Sequence, residues 1–227
     1  GSNYPSGGYI NNYAILNGSG GVPATGPTTS SVTPNQYFRV GQGFIIQAKA
    51  NGNVVFNNSM RNGDTSAKFF NRMSSAAASE KVDRFWLQLT TPLDVANKIL
   101  IAYKKEATDS FDVDYDAPHL IIGADSFYSN LNQDKLAIQG RKYPLLENDA
   151  VQLGASFYAP GNYTISLQEK EGIFSNGQAI YLKDKTNNAI VNLQQESYSF
   201  TVSTAGEINT RFEIIYKPNG ILATQDA

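Results

Sequence analysis

Three aspartates at every second position, Asp112, Asp114 and Asp116, lie inside the run Asp109-Ser-Phe-Asp-Val-Asp-Tyr-Asp116. In extended chain, alternate side chains project to one side, so the three carboxylates would repel one another unless a cation neutralised them. Ca²⁺ is the hard ion suited to carboxylate and carbonyl oxygens, and a structural Ca²⁺ site on Asp112, Asp114 and Asp116 is one expectation. The EF-hand pattern is not met: Ala117 stands where its invariant glycine belongs and Gly123 where its bidentate glutamate belongs. The alternative is a solvated acidic loop, in which like charges cost little.

Ring stacking is the second chemistry on offer. Trp86, the single tryptophan, sits in Arg84-Phe-Trp-Leu-Gln-Leu-Thr90, where Phe85, Leu87 and Leu89 share one face of a strand and Trp86 and Gln88 the other. If that second face meets solvent, Trp86 and Gln88 form a binding surface; if it meets core, they pack. Tyr4, Tyr9 and Tyr13 offer a stacking platform near the start of the chain, or else pin a loop to the body.

Catalysis lacks its usual parts. The single histidine, His119, has no cysteine to pair with, and no Gly-x-Ser-x-Gly elbow, His-Glu-x-x-His helix or phosphate-cradling glycine loop occurs. Zinc chemistry lacks ligands. The reading is a non-enzyme.

A net charge of −2 gives no electrostatic footprint for nucleic acid, and no apolar run is long enough to cross a bilayer. Without cysteines there are no disulfides. Charged residues are only 17% of the chain, while Asn, Gln, Ser, Thr and Gly abound, which suits an extracellular surface that hydrogen-bonds to neutral partners. Gly1-Ser2 reads as a cloning remnant, and the chain as an excised piece of a longer one.

These groups must be positioned by strands. Lys135–Gln139, Ala150–Gly154, Tyr163–Gln168, Ala179–Lys183, Ser197–Val202 and Arg211–Tyr216 each place apolar side chains near every second position, and turn residues such as Pro160-Gly161 and Asn176-Gly177 separate them. Upstream, Tyr13–Leu16 predicts a short strand. Phe44–Ala48 and Val54–Phe56 around Asn51-Gly52 predict a hairpin, and Arg84–Thr90 and Lys98–Lys104 two strands joined by a connection too long for a tight turn. The expected fold is all-β: tandem antiparallel β-sandwiches, an N-terminal one with long loops over 1–128 and an Ig-like one over 129–220. The boundary falls in the polar stretch Ser126 to Asp134.

Lys135-Leu-Ala-Ile-Gln-Gly-Arg141, Gly161-Asn-Tyr-Thr-Ile165, Ile180–Lys185, Tyr198-Ser-Phe200 and Arg211–Tyr216 resemble the β-rich module that precedes the C-terminal sorting domain in secreted surface proteins of Bacteroidetes. Asn11–Ala14, Asn17–Gly21, Gly41-Gln-Gly-Phe44 and Phe56–Arg61 are similar to the segments before that module. The resemblance implies type IX secretion to the cell surface or medium, attachment to other domains of the same chain, and 221–227 as the start of a truncated sorting segment. It implies no catalytic residue. The expected function is a non-catalytic binding module whose favoured ligand is a polysaccharide or surface glycan; the alternative is a structural spacer or adhesin segment that contacts protein.

Overall fold

Alternating apolar residues need a second surface to bury against, and this chain supplies it by curling one sheet around itself. The computed structural model describes residues 13–28, 33–38, 41–61, 82–120 and 122–218. Its strands are β1 (Ile15–Asn17), β2 (Gly20–Val22), β3 (Gly26–Pro27), β4 (Asp83–Thr90), β5 (Val95–Lys104), β6 (Ala117–Pro118) and β7 (Ser126–Leu131), then β8 (Asp134–Lys142), β9 (Ala150–Phe157), β10 (Gly161–Glu171), β11 (Tyr181–Asp184), β12 (Ala189–Asn192), β13 (Tyr198–Val202) and β14 (Gly206–Ile215). The fold is all-β, as the alternation predicts.

β1 and β2 form a separate hairpin; the other strands join one sheet in the order β12-β11-β14-β9-β7-β8-β5-β4-β10-β13, with β3 against β5 and β6 against β8. All neighbours are antiparallel except β5 and β8, which run parallel with Leu100 opposite Ile138. Strands from before and after residue 128 therefore interleave, and one apolar core draws on both. Phe85, Leu87, Leu89, Ile99 and Ile101 pack with Leu153, Phe157, Tyr163, Phe200 and Phe212. This differs from two sandwiches in tandem. Alternation reports that a strand exists and which residues share a face, but the β4–β10 and β5–β8 pairings are long-range and leave no local mark. The stretch Ser126–Leu131, expected to be a linker, is β7, with Phe127 in the core. Of residues 91–97, expected to be a long connection, only 91–94 form the turn, and β4 and β5 pair as far as Thr90 opposite Ala96. Asp94 takes φ +59, and Thr91 Oγ1 accepts from the Leu93 and Val95 nitrogens.

The sheet is nearly barrel-shaped, and its two ends meet through side chains. Asp184 at the end of β11 has no exposed side-chain surface. Its Oδ2 accepts from Tyr198 Oη on β13 at 2.9 Å and from Arg211 Nη2 on β14 at 2.7 Å, while Oδ1 accepts from the Thr186 nitrogen and hydroxyl at 2.9 and 2.6 Å. The Arg211 guanidinium lies over the rings of Phe200 and Phe212, at 4.8 and 4.7 Å. Burial alone would raise the Asp184 pKa; the donors from Arg211, Thr186 and Tyr198 outweigh it and bring the group down to about 2.

Asp184→Asn should therefore lower the unfolding free energy by about 3–5 kcal/mol, since it leaves the Arg211 charge buried and unpaired. Because the folded-state value lies below the ordinary 3.8, the stability from Asp184 is complete above about pH 4 and is lost as pH falls through about 2. Urea titrations of both proteins across that range measure this, and a variant with the wild-type midpoint would mean that the seam is held elsewhere.

A candidate binding cavity beside the N-terminal hairpin

The outer face of β4, β5 and β8 also carries apolar side chains. Val22, Trp86, Leu100, Ala117 and Ile138 form a second small core there, with Ile15 against it. The β1–β2 hairpin covers it and is tied down by side chains from the sheet. Trp86 Nε1 donates to Gly21 O at 2.8 Å, Arg84 Nη1 to Ser19 O at 2.8 Å and Lys104 Nζ to Gly18 O at 2.9 Å. Trp86 is thus only 5% exposed. Gln88 is 6% exposed and donates to Thr90 Oγ1. The expectation of a ligand face on Trp86 and Gln88 is corrected: that face is roofed by chain that alternation within β4 does not report. Tyr4 and Tyr9 lie outside the described residues. Tyr13 is half exposed and borders a cavity.

The acidic run folds against the same hairpin. Turns, not extended chain, span 113–115, so the alternation of carboxylates to one side does not arise. The Tyr115 and Asp116 nitrogens donate to Asp112 O, Gly18 N donates to Asp114 O at 2.9 Å, and Ser19 Oγ donates to Tyr115 O at 2.8 Å. Each carboxylate has its own task. Asp112 Oδ2 accepts from Thr108 N at 2.6 Å, Asp114 pairs with Lys49, and Asp116 accepts from Asp112 N through Oδ2 and from Gly140 N through Oδ1. Among the described residues no group of three His, Cys, Asp or Glu is placed to hold a metal ion. Gly140 is required at its position, because a Cβ there would come within 2.4 Å of the Tyr115 Cβ. Asp116 is buried, and burial raises its pKa to about 6 against the pull of the two backbone donors. His119 Nε2 donates to Phe127 O at 2.8 Å, and burial lowers its pKa, which favours the neutral ring.

Between the hairpin, this acidic loop and the arm 41–61 lies a cavity of about 650 Å³. Tyr13 and Leu16 form one wall, Val113 and Leu120 another, and Phe38, Phe44 and Ile46 a third, with Asn35, Gln36, Gln42 and Gln47 among the polar lining. Lys49 and Asp114, both lining it, pair across it. The pair is exposed and contributes only about 0–1 kcal/mol. In the arm the expected hairpin does not form: residues 42–57 contain no strand. Its rings Phe44 and Phe56 are 47% and 60% exposed, and Phe38 before it 52%. Phe38 and Phe44 are 4.5 Å apart and tilted, and Phe44 and Phe56 are 6.0 Å apart, edge to face. The sequence pattern puts Phe44 and Phe56 in the two strands of a hairpin. The signal against that was Phe44-Ile45-Ile46, three apolar residues in succession, which does not alternate.

A family profile described as a domain of unknown function (DUF8693) matches residues 2–216. The chain belongs to this family. The match spans the hairpin, the acidic loop and the whole curled sheet of this chain. No curated protein and no solved structure matches the chain.

Asp116 carries a pH response that this geometry generates. Its folded-state value lies above the ordinary 3.8, so its contribution is complete below about pH 4 and is lost as pH rises through about 6. Asp116→Asn should abolish that part of the slope. It should also cost about 1–3 kcal/mol, because the new amide turns an N–H toward one of the two backbone donors. Denaturant unfolding at pH 4 and pH 6.5 reads both, and identical slopes in the two proteins would remove Asp116 from the response.

Proposed function

We propose that this chain is a non-catalytic binding module of a secreted or cell-surface protein, and that the cavity beside the hairpin takes a neutral carbohydrate. The observation that carries the reading is the exposed series Phe38, Phe44 and Phe56 next to the amides of Asn35, Gln36 and Gln47. Ring faces cover the apolar face of a sugar, and planar amides both donate to and accept from its hydroxyls. A surface of low charge density suits an uncharged ligand. The secretion route rests on the resemblance of Lys135–Arg141, Ile180–Lys185 and Arg211–Tyr216 to the module preceding the type IX sorting domain.

A second reading, a spacer or adhesin segment that contacts protein, is favoured by the aliphatic part of the same lining. Ile46, Val113 and Leu120 would receive an apolar side chain rather than a hydroxyl.

A glycan-array screen with and without EDTA tests the first reading and asks in the same step about Ca²⁺. The expected outcome is binding of a neutral glycan that Phe44→Ala weakens by about tenfold, or ~1.4 kcal/mol, with an unchanged melting temperature. An array without signal from a folded protein would favour the protein-contacting reading.

A further inference from the structure

Asn-Gly pairs are prone to a reaction within the chain itself. The glycine nitrogen attacks the asparagine Cγ, an N–Cγ bond forms, the Cγ–Nδ2 bond breaks, and ammonia leaves with the proton of the glycine N–H. Solvent water then opens the five-membered imide. Cleavage of the bond from Cγ to nitrogen gives aspartate, and cleavage of the bond from the main-chain carbonyl carbon to nitrogen gives isoaspartate. Glycine permits this because it has no Cβ to hinder the approach and few limits on its backbone angles. The reaction needs a glycine nitrogen free of other partners and an asparagine side chain free to turn toward it.

The described residues hold three such pairs, Asn17-Gly18, Asn51-Gly52 and Asn176-Gly177, in different settings. At the first, the nucleophile is engaged, since Gly18 N donates to Asp114 O at 2.9 Å. The Asn17 side chain is also held, with Oδ1 accepting from Ser19 N at 2.8 Å and Nδ2 buried. At the third, Asn176 ends a 3-10 turn over Gly172–Asn176, and Gly177 N donates to Ile173 O. At the second, both residues are exposed, neither makes a hydrogen bond among the described residues, and a Cβ built on Gly52 would meet nothing within 4 Å.

We propose that Asn51 is a site of spontaneous deamidation onto the Gly52 nitrogen, and that the fold shields Asn17 and Asn176 from the same reaction. The product places a carboxylate two residues from Lys49, where it competes with Asp114 for the ammonium that spans the cavity. The isoaspartate form also adds a methylene to the main chain of the arm. Chemistry at Asn51 thus changes one wall of the candidate site without touching the sheet.

The full chain is incubated in mildly alkaline buffer and mapped by peptide mass spectrometry, with electron-transfer fragmentation to separate aspartate from isoaspartate. The peptides of Asn62-Gly63 and Asn219-Gly220, outside the described residues, are resolved separately. Asn51 should be modified severalfold faster than Asn17 and Asn176 in the folded chain, and in urea the three rates should converge. Ion exchange should show a species shifted by one negative charge. Gly52→Ala, whose methyl enters open space, should slow the reaction severalfold, and Asn51→Gln should remove that species. Equal rates at the three pairs in the folded chain, or no modification at Asn51, would overturn the proposal.

Discussion

A carboxylate without exposed surface can stay charged only where enough donors surround it, and Asp184 makes that demand where, among the described residues, the two ends of the sheet share no backbone ladder. The strands at its two ends, β11–β12 and β13, are joined by Tyr198, Arg211 and Thr186 converging on that carboxylate. Isolated, such a group is a liability, because desolvation costs several kcal/mol per ion. Here it supplies what apolar packing cannot, a direction. Tyr198 reaches Asp184 from β13 while Arg211 covers Phe200 and Phe212, so the bond and the ring contacts together orient one sheet end against the other.

With the inner face closed in this way, the outer face of β4, β5 and β8 still has Trp86, Leu100 and Ile138 to bury. The hairpin β1–β2 does that, and it in turn holds the acidic loop through Gly18 and Ser19. The cavity lies where hairpin and loop leave off, walled on its third side by an arm that brings rings but no strand. Shape and chemistry of the candidate site are thus a by-product of covering a two-faced sheet.

How far the sequence discloses this depends on the range of each signal. The strands from Lys135 to Tyr216 were legible because alternation and turn residues act within a few positions, and β8, β9, β10, β11, β13 and β14 lie where that pattern put them. β12 was not read, and its four residues Ala189–Asn192 are too few to establish a period. Trp86 shows the opposite limit. Its side of β4 was identified, but whether that side is roofed depends on residues 15–22, some 65 positions away. Asp112, Asp114 and Asp116 were legible as a cluster and not as a loop, since a turn at 113–115 sends their side chains to different partners. At Asn51-Gly52 the turn preference was plain, yet a hairpin needs flanking strands with something to pair against.

Parallel pairing of β5 with β8 has a bearing on the order in which the protein can be assembled. As the chain leaves the ribosome, β4 and β5 emerge as a hairpin with one fully apolar face and with Trp86 and Leu100 on the other, while the neighbours β8 and β10 are still unmade. The strand that fills the other side of β4 begins at Gly161, and the seam at Asp184 waits for Arg211. Non-local pairings of this kind slow folding and leave sheet edges open in the meantime. The core of this sheet therefore cannot close before Gly161–Glu171 and Arg211 have been made.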